Sequence, residues 1–242
     1  MWPPLGAEDL HVWAFDTDVG VSRLAELGAL LSHDEQERAW RFRLAVDRAR
    51  FIARRGQLRL IIGRYAGITP QSLRFTNSPY GKPSLSMRTG VERLRFNASG
   101  SEGIALVGVR LDVDVGVDIE RVRPLPDAPA LAARCLTASE SAELAALPEA
   151  EFLNRFFEYW TRKEAIVKSL GRGVSLSFDQ IDLQPWPGEA ACAVKLTQDK
   201  TTATQWVIPL PAPRHGYVAA LATVPGRRFA DLQIRSFALP AI

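Results

Sequence analysis

Two long helical stretches, each closed by a glycine and followed by a strand, limit what this chain can fold into more than any other feature. In the first, Phe51, Leu58, Ile61, Ile62 and Tyr65 recur at helical spacing over residues 47–66, and Gly67 ends the run. The second takes up Arg155-Phe156, covers residues 151–170 and stops at Gly171-Arg172-Gly173. Strands are expected after each, at residues 73–76 and 181–183. The same order of parts in both halves predicts an α+β fold built from a duplicated unit. Two pseudo-symmetric subdomains, residues 1–112 and 113–242, would then share a cleft at their interface. Helix, glycine, strand is a common order, so the chemistry has to be argued from side chains.

The other expected elements fill in this frame. Residues 11–15 (HVWAF) read as a first strand, and Ser32 with Glu35 forms a capping box opening a helix to residue 43. Residues 77–83 are a turn-rich loop and residues 93–97 a strand. Residues 104–109 and 115–119 read as the two arms of a hairpin, and the Pro-rich residues 124–129 as the linker between the halves. A helix over residues 139–147 precedes the second long one, and a β-rich tail is expected at 191–196, 204–208, 217–223 and 233–237. At 242 residues the chain can bury a core without metals or disulfides. It has no apolar run near the roughly 18–20 residues that span a bilayer. No signal-peptide order opens it, and its two cysteines, Cys135 and Cys192, lie far apart. A reduced, cytoplasmic protein is expected.

The net charge of +3 conceals a division. From Arg38 to Arg64 there are nine arginines and one acid, Asp47, whereas from Asp112 to Glu164 eleven acids face six Lys or Arg. The first segment suits phosphate groups and the second a divalent cation, although solvated helix faces would account for both. There is no G-x-S-x-G, H-E-x-x-H, P-loop or G-x-G-x-x-G, and His11, His33 and His215 are distant in sequence. Chemistry on carboxylates remains. In Gly116-Val117-Asp118-Ile119-Glu120, residues i and i+2 of a strand face one side. Asp118 and Glu120 would therefore present two hard oxygen donors suited to Mg²⁺ while Val117 and Ile119 face the core. Trp160, Glu164 and Lys168, at i, i+4 and i+8, share one helical face. Gly81-Lys82-Pro83, and a Ser/Gly turn at Phe96-Asn97-Ala98-Ser99-Gly100-Ser101, offer a lysine and backbone N–H groups to a phosphate. Taken singly, each is as well explained by an ordinary turn or ion pair.

In this order and spacing, Gly81-Lys82-Pro83, Phe96-Asn97-x-Ser99, Gly116-Val117-Asp118-Ile119-Glu120 and Trp160-x-x-Lys163-Glu164-Ala165-x-x-x-Lys168 resemble the 4′-phosphopantetheinyl transferase superfamily. The likeness runs from about Leu10 to Thr223 and is to the large, monomeric type that activates peptide and polyketide synthetases. The resemblance implies two pseudo-symmetric halves around one active site. It also implies transfer of the phosphopantetheine arm of coenzyme A to a serine of an acyl, aryl or peptidyl carrier protein, releasing adenosine 3′,5′-bisphosphate.

By motif position, Asp118, Glu120 and Glu164 would hold Mg²⁺ against the pyrophosphate, as catalytic as well as metal-binding residues. Glu164 or a metal-bound water would take the serine proton, and Lys168 would stabilise or protonate the departing phosphate. Arg50, Arg55, Lys82 and Ser99 match coenzyme A-binding positions, and Lys163 would border the same cleft. The family usually has histidine after Phe-Asn-x-Ser, and this chain has Gly100: either Arg54 or a backbone N–H of the 99–103 turn substitutes or activity is reduced, and a functional enzyme with weakened or rearranged coenzyme A binding is expected. The alternative is a catalytically attenuated paralogue that still binds carrier proteins. A nucleic-acid binder using the arginine segment is the third reading, with no nucleic-acid motif behind it. The expected protein is a monomer without membrane or nucleic-acid partners.

Overall fold

The computed structural model describes residues 2–78, 82–86, 91–171, 176–183, 191–198, 201–224 and 232–239. In chain order the strands are β1 Asp9–Asp16, β2 Phe75–Asn77, β3 Pro83–Leu85, β4 Leu94–Ser101, β5 Ile104–Leu111, β6 Val115–Arg121, β7 Cys192–Gln198, β8 Thr201–Leu210, β9 Tyr217–Thr223 and β10 Gln233–Ala238. The helices are α1 Val21–Gly28, α2 His33–Trp40, α3 Ala45–Ala66, α4 Ala128–Cys135, α5 Ala138–Ala145 and α6 Glu149–Leu170. Short 3₁₀ turns at Pro70–Ser72 and Phe178–Gln180 follow α3 and α6. The fold is α+β, as the helix and strand patterns predict. Gly81, Gly173 and part of the linking loops fall outside the described residues.

Two four-stranded sheets carry the structure, ordered β10-β1-β5-β4 and β6-β9-β8-β7, with β2 and β3 forming a separate pair. Strand alternation sorts side chains between cores. Trp13, Phe15, Ala105 and Val107 face α3, while Leu10, Val12, Ile104 and Leu106 meet Val115, Val117 and Ile119 of β6. Even-numbered β6 residues therefore point the other way, toward α6. Gly116 fixes how near that helix comes: a Cβ there would lie 2.0 Å from the Ala165 carbonyl oxygen. Only glycine permits this approach of strand to helix backbone.

Both long helices have 22 residues, and both end at a left-handed glycine, Gly67 and Gly171, each at φ 65°. The glycine has no Cβ to oppose that conformation, so the helix stops there. Four expectations need correction. Residues 104–109 and 115–119 are not a hairpin: β5 pairs with β1 and β4, whereas β6 pairs with β9. The chain crosses from one sheet to the other at residues 112–114, where Asp112 adopts φ 61°. Residues 96–101 are no turn but lie within β4, because their alternating burial against α3 favours the ladder; the turn follows, with Glu102 at φ 35° and Gly103 at φ 89°. Residues 181–183 form no strand. Residues 124–129 do not link the halves, since β6 before them already belongs to the second sheet, and residues 128–129 open α4, whose first turn accepts Pro129 because an N–H there has no intrahelical acceptor to lose. The last strand, β10, returns to the first sheet and pairs in parallel with β1.

Candidate active site

The edge strands β4 and β6 lie side by side and are joined by side chains rather than by a backbone ladder. Asn97 Oδ1 accepts from the Val117 N–H at 2.9 Å, Ser99 Oγ donates to Asp118 Oδ1 at 2.7 Å, and Ser101 Oγ donates to Glu120 Oε2 at 2.7 Å. The period of two that aims Asp118 and Glu120 at α6 thus also gives each acid a hydroxyl from β4. Lys168 Nζ donates to the same Asp118 oxygen at 2.5 Å and to Ser99 Oγ at 3.1 Å. It stands 3.9 Å from Glu164 Oε2.

These groups line one face of a cavity of about 940 Å³, together with Trp160. Trp160 also packs against Phe156 and Phe178, so it belongs to both core and cleft wall. Burial raises the pKa of Glu164, and the charges of Asp118 and Glu120 add to this while Lys168 opposes it. Glu120 is raised for the same first reason, with Asp118 adding, against the hydrogen bond from Ser101 and the charge of Arg123.

The opposite wall is basic. Arg38, Arg54, Arg55 and Arg59 all line the cavity, from α2 and α3. Glu35, the capping-box acid of α2, accepts from the Ser32 N–H at 3.0 Å and from Arg59 Nε at 2.6 Å, and is also bonded by Arg55. Burial alone would raise the Glu35 pKa, but its arginine partners hold it below the ordinary value. The Arg55 and Arg59 guanidinium groups lie 4.3 and 5.3 Å from the Phe75 ring centre. Arg54 has no carboxylate partner among the described residues. Burial lowers its pKa, as do the charges of Arg38 and Arg55, so this wall carries uncompensated positive charge. The Arg54 side chain crosses Gly100: a Cβ there would come 3.2 Å from Arg54 Cδ and 3.2 Å from the Ile104 carbonyl oxygen.

The cavity therefore gathers Asp118, Glu120, Glu164, Lys168, Ser99 and Arg55 of the sequence-derived set. Three other members go elsewhere. Arg50 makes a two-pronged pair with Asp18, at 2.6 and 3.0 Å, and lines a neighbouring hollow. Lys82 donates to Asp114 at 2.8 Å and to the Ser169 carbonyl at 3.0 Å, beyond the cavity lining. Lys163 does not border the cleft. One residue from Glu164 on a helix is about 100° away, so Lys163 turns toward α5. There it is fully buried, bonded to Glu140 and to the Phe178 carbonyl at 2.8 Å. Glu35, Arg38 and Arg59 are cleft residues that the motifs do not mark. An acid in a capping box three residues before an arginine run was the available signal.

Among the described residues, no three His, Cys, Asp or Glu side chains are drawn together into a ready metal cluster. The donors nonetheless fit a hard cation. Asp118 Oδ2 is buried with no hydrogen-bond partner among the described residues, and the charges of Asp118 and Glu120 both raise the pKa of Glu164 in the same cleft.

An arginine wall and a carboxylate set lining one cavity suit phosphate chemistry, and comparison with known proteins agrees. The family model of the 4′-phosphopantetheinyl transferase superfamily matches residues 114–222, which contain β6, α6 and all three carboxylates. The chain is 37% identical over 216 residues to 4′-phosphopantetheinyl transferase HetI of Nostoc sp., covering 89% of this chain and 88% of that one. It is 30% identical over 153 residues to psf-1 of Bacillus pumilus, 63% of each chain. It is 26% identical over 156 residues to Sfp of Bacillus subtilis, 64% of this chain and 67% of that one. The chain belongs to the 4′-phosphopantetheinyl transferase superfamily and is an enzyme of that kind.

Proposed function

We propose that this chain transfers the 4′-phosphopantetheine arm of coenzyme A to a serine of an apo acyl, peptidyl or aryl carrier protein, with Mg²⁺, releasing adenosine 3′,5′-bisphosphate. The observation that carries this reading is the cleft itself: Asp118, Glu120, Glu164 and Lys168 face Arg38, Arg54 and Arg55 across one cavity. A serine O–P bond forms as the bond from that phosphorus to the nucleotide oxygen breaks. Asp118, Glu120 and Glu164 would hold the metal, whose contribution when bound is to neutralise the pyrophosphate. Glu164, partly open to the cleft and raised in pKa, would accept the serine proton. Lys168, now held by Asp118 and Ser99, would lend its charge to the leaving phosphate. Arg55 and Arg54 would take the nucleotide phosphates, Arg54 from the space over Gly100. Arg50 and Lys82 would join only by leaving Asp18 and Asp114, and no ligand role is proposed for Lys163.

The halves are read as copies of one unit, supported by the matched helices and their glycine ends, with residues 233–238 returned to the first sheet. The test is to incubate the chain with apo carrier protein, coenzyme A and Mg²⁺ and to weigh the carrier. A mass gain equal to the phosphopantetheine arm is expected, lost with a chelator and with Glu120→Ala. Carrier binding with no mass gain would instead establish the attenuated paralogue. Arg54 in place of the missing histidine is the reason to expect activity.

A further inference from the structure

Ser101 lies outside the motifs that carry the family likeness, yet it stands beside Glu120 as Ser99 stands beside Asp118. Its Oγ accepts the Arg121 N–H at 3.2 Å, so its single hydroxyl hydrogen is free to go to Glu120 Oε2, at 2.7 Å. Arg123 reaches the same oxygen at 3.4 Å, and among the described residues no hydrogen bond reaches Oε1. Asp118 repeats the pattern. Ser99 and Lys168 both donate to Oδ1, whereas Oδ2 is buried without a partner among the described residues. Each acid therefore has one oxygen held from β4 and one left over.

The register that produces this is fixed from both sides. Ser99 meets Asp118 and Ser101 meets Glu120 at the same sequence separation of 19, because both strands alternate with a period of two. Just past Ser101 the chain turns, with Glu102 at φ 35°. There the Tyr217 hydroxyl donates to the Glu102 carbonyl at 2.9 Å, and Arg121 pairs with the Glu102 side chain. These contacts tie the end of β4 to the second sheet and keep the Ser101 hydroxyl beside Glu120.

One free oxygen per acid suits one kind of cation. Mg²⁺ takes a compact octahedron of oxygens and keeps several waters, whereas Ca²⁺ gathers about six to eight oxygens and accepts both from one carboxylate. An acid whose second oxygen is already hydrogen-bonded offers a single ligand and withholds the two-oxygen grip that favours the larger ion. For Glu120 to offer both oxygens, the charge-assisted bond from Ser101 has to break.

We infer that Ser101 is a positioning residue that confines Glu120 to one metal-facing oxygen and thereby sets a preference for Mg²⁺ over Ca²⁺; this rests on the metal reading above. Ser101 acts through Glu120 and not on the substrate. Ser99 does the same for Asp118, but it also accepts from Lys168, so Ser101 gives the cleaner test.

The test is metal binding without turnover. With coenzyme A present and no carrier protein, bound Mn²⁺ is displaced by Mg²⁺ or by Ca²⁺, and free Mn²⁺ is read by electron paramagnetic resonance. Ser101→Ala is expected to shift the ratio of the two displacement constants about tenfold toward Ca²⁺. Ser101→Thr keeps the hydroxyl and should hold the wild-type ratio. Ser101→Cys, a weak donor of similar shape, should shift it in the same direction as alanine, and decides the matter if the alanine variant does not fold. An unchanged ratio in these two variants overturns the proposal. Equal weakening of both ions with a lowered urea midpoint also overturns it, and makes Ser101 a structural tie between the sheets. A threonine variant that shifts like alanine does so too, since the hydroxyl is then not the cause. If the wild-type chain binds no Mn²⁺ with coenzyme A and still loads a carrier in the presence of a chelator, the metal reading itself falls, and the role of Ser101 with it.

Discussion

Helices α2 and α5 open with the same device and put it to different use. Ser32 with Glu35, and Thr137 with Glu140, are capping boxes in which the glutamate accepts the N–H of the cap residue. Each glutamate also takes a cation from the long helix that follows, Arg59 on α3 and Lys163 on α6. Each cation then reaches a carbonyl at the next 3₁₀ turn: Arg59 bonds Pro70 at 2.7 Å, and Lys163 bonds Phe178 at 2.8 Å. One buried charge thus ties together a short helix, a long helix and the turn beyond.

The difference lies one helical turn earlier. Four residues before Arg59 stands Arg55, which shares Glu35 and faces the cleft; four before Lys163 stands Tyr159, whose hydroxyl bonds Glu143. The Glu140 node is sealed, with both side chains at 0% exposure, and Glu140 also accepts the Leu183 N–H at 2.9 Å. A lock needed for folding becomes part of a site when a second cation is added on the side open to the cleft.

The largest effect is expected at neither lock but at Glu164, the carboxylate proposed to take the serine proton. Glu164→Gln should lower kcat on the order of 10²–10⁴-fold, while the denaturation midpoint stays in place. The locks come next. Glu140→Gln removes the charge that compensates a fully buried lysine and should cost about 3–5 kcal/mol in urea unfolding, with the KM for coenzyme A unchanged. Glu35→Gln should cost comparable stability and also raise that KM, because Arg55 loses its anchor. If both variants leave the KM alone, the distinction between a structural and a site-bearing lock is wrong.

A smaller change tests the basic wall alone. Arg54→Met should weaken coenzyme A binding by about 1.5–3 kcal/mol, read as its KM, with little loss of fold stability. Gly100→His should raise the same KM by less, since the new Cβ has to push Arg54 aside; a lowered KM would show that Arg54 is no substitute. The smallest effect is on the acid limb of stability. Glu35 has its pKa held below the ordinary 4.5 in the fold. Its contribution is therefore complete above that value and is lost as pH falls through the lower folded one. Urea unfolding at stepped acidic pH should show a shallower decline in Glu35→Gln than in the parent.

Much of the site was legible because its spacing is local. The i, i+2 carboxylates of β6 and the i, i+4, i+8 face of α6 follow from strand and helix geometry, and both hold. Lys163 shows the limit of motif reasoning: adjacent to Glu164 in sequence, it lies on another face and serves the core. The supposed hairpin at residues 104–119 failed because two apolar strands with a short connection do not reveal which sheet each joins.

What the sequence by itself determined is the set of elements with local causes: the capping boxes, the glycine ends, the alternation of β6 and the division into basic and acidic segments. Only the tertiary structure decided which charges meet. The close approach that Gly116 permits sets Asp118 and Glu120 against Glu164 and Lys168, and the lodging of Arg54 over Gly100 completes the opposite wall. Hydrogen-bond and helix periods act over a few residues and can be read along the chain. The pairing of Glu35 with Arg55 or Ser99 with Asp118 depends on long-range packing, in which steric fit and burial choose among many possible partners.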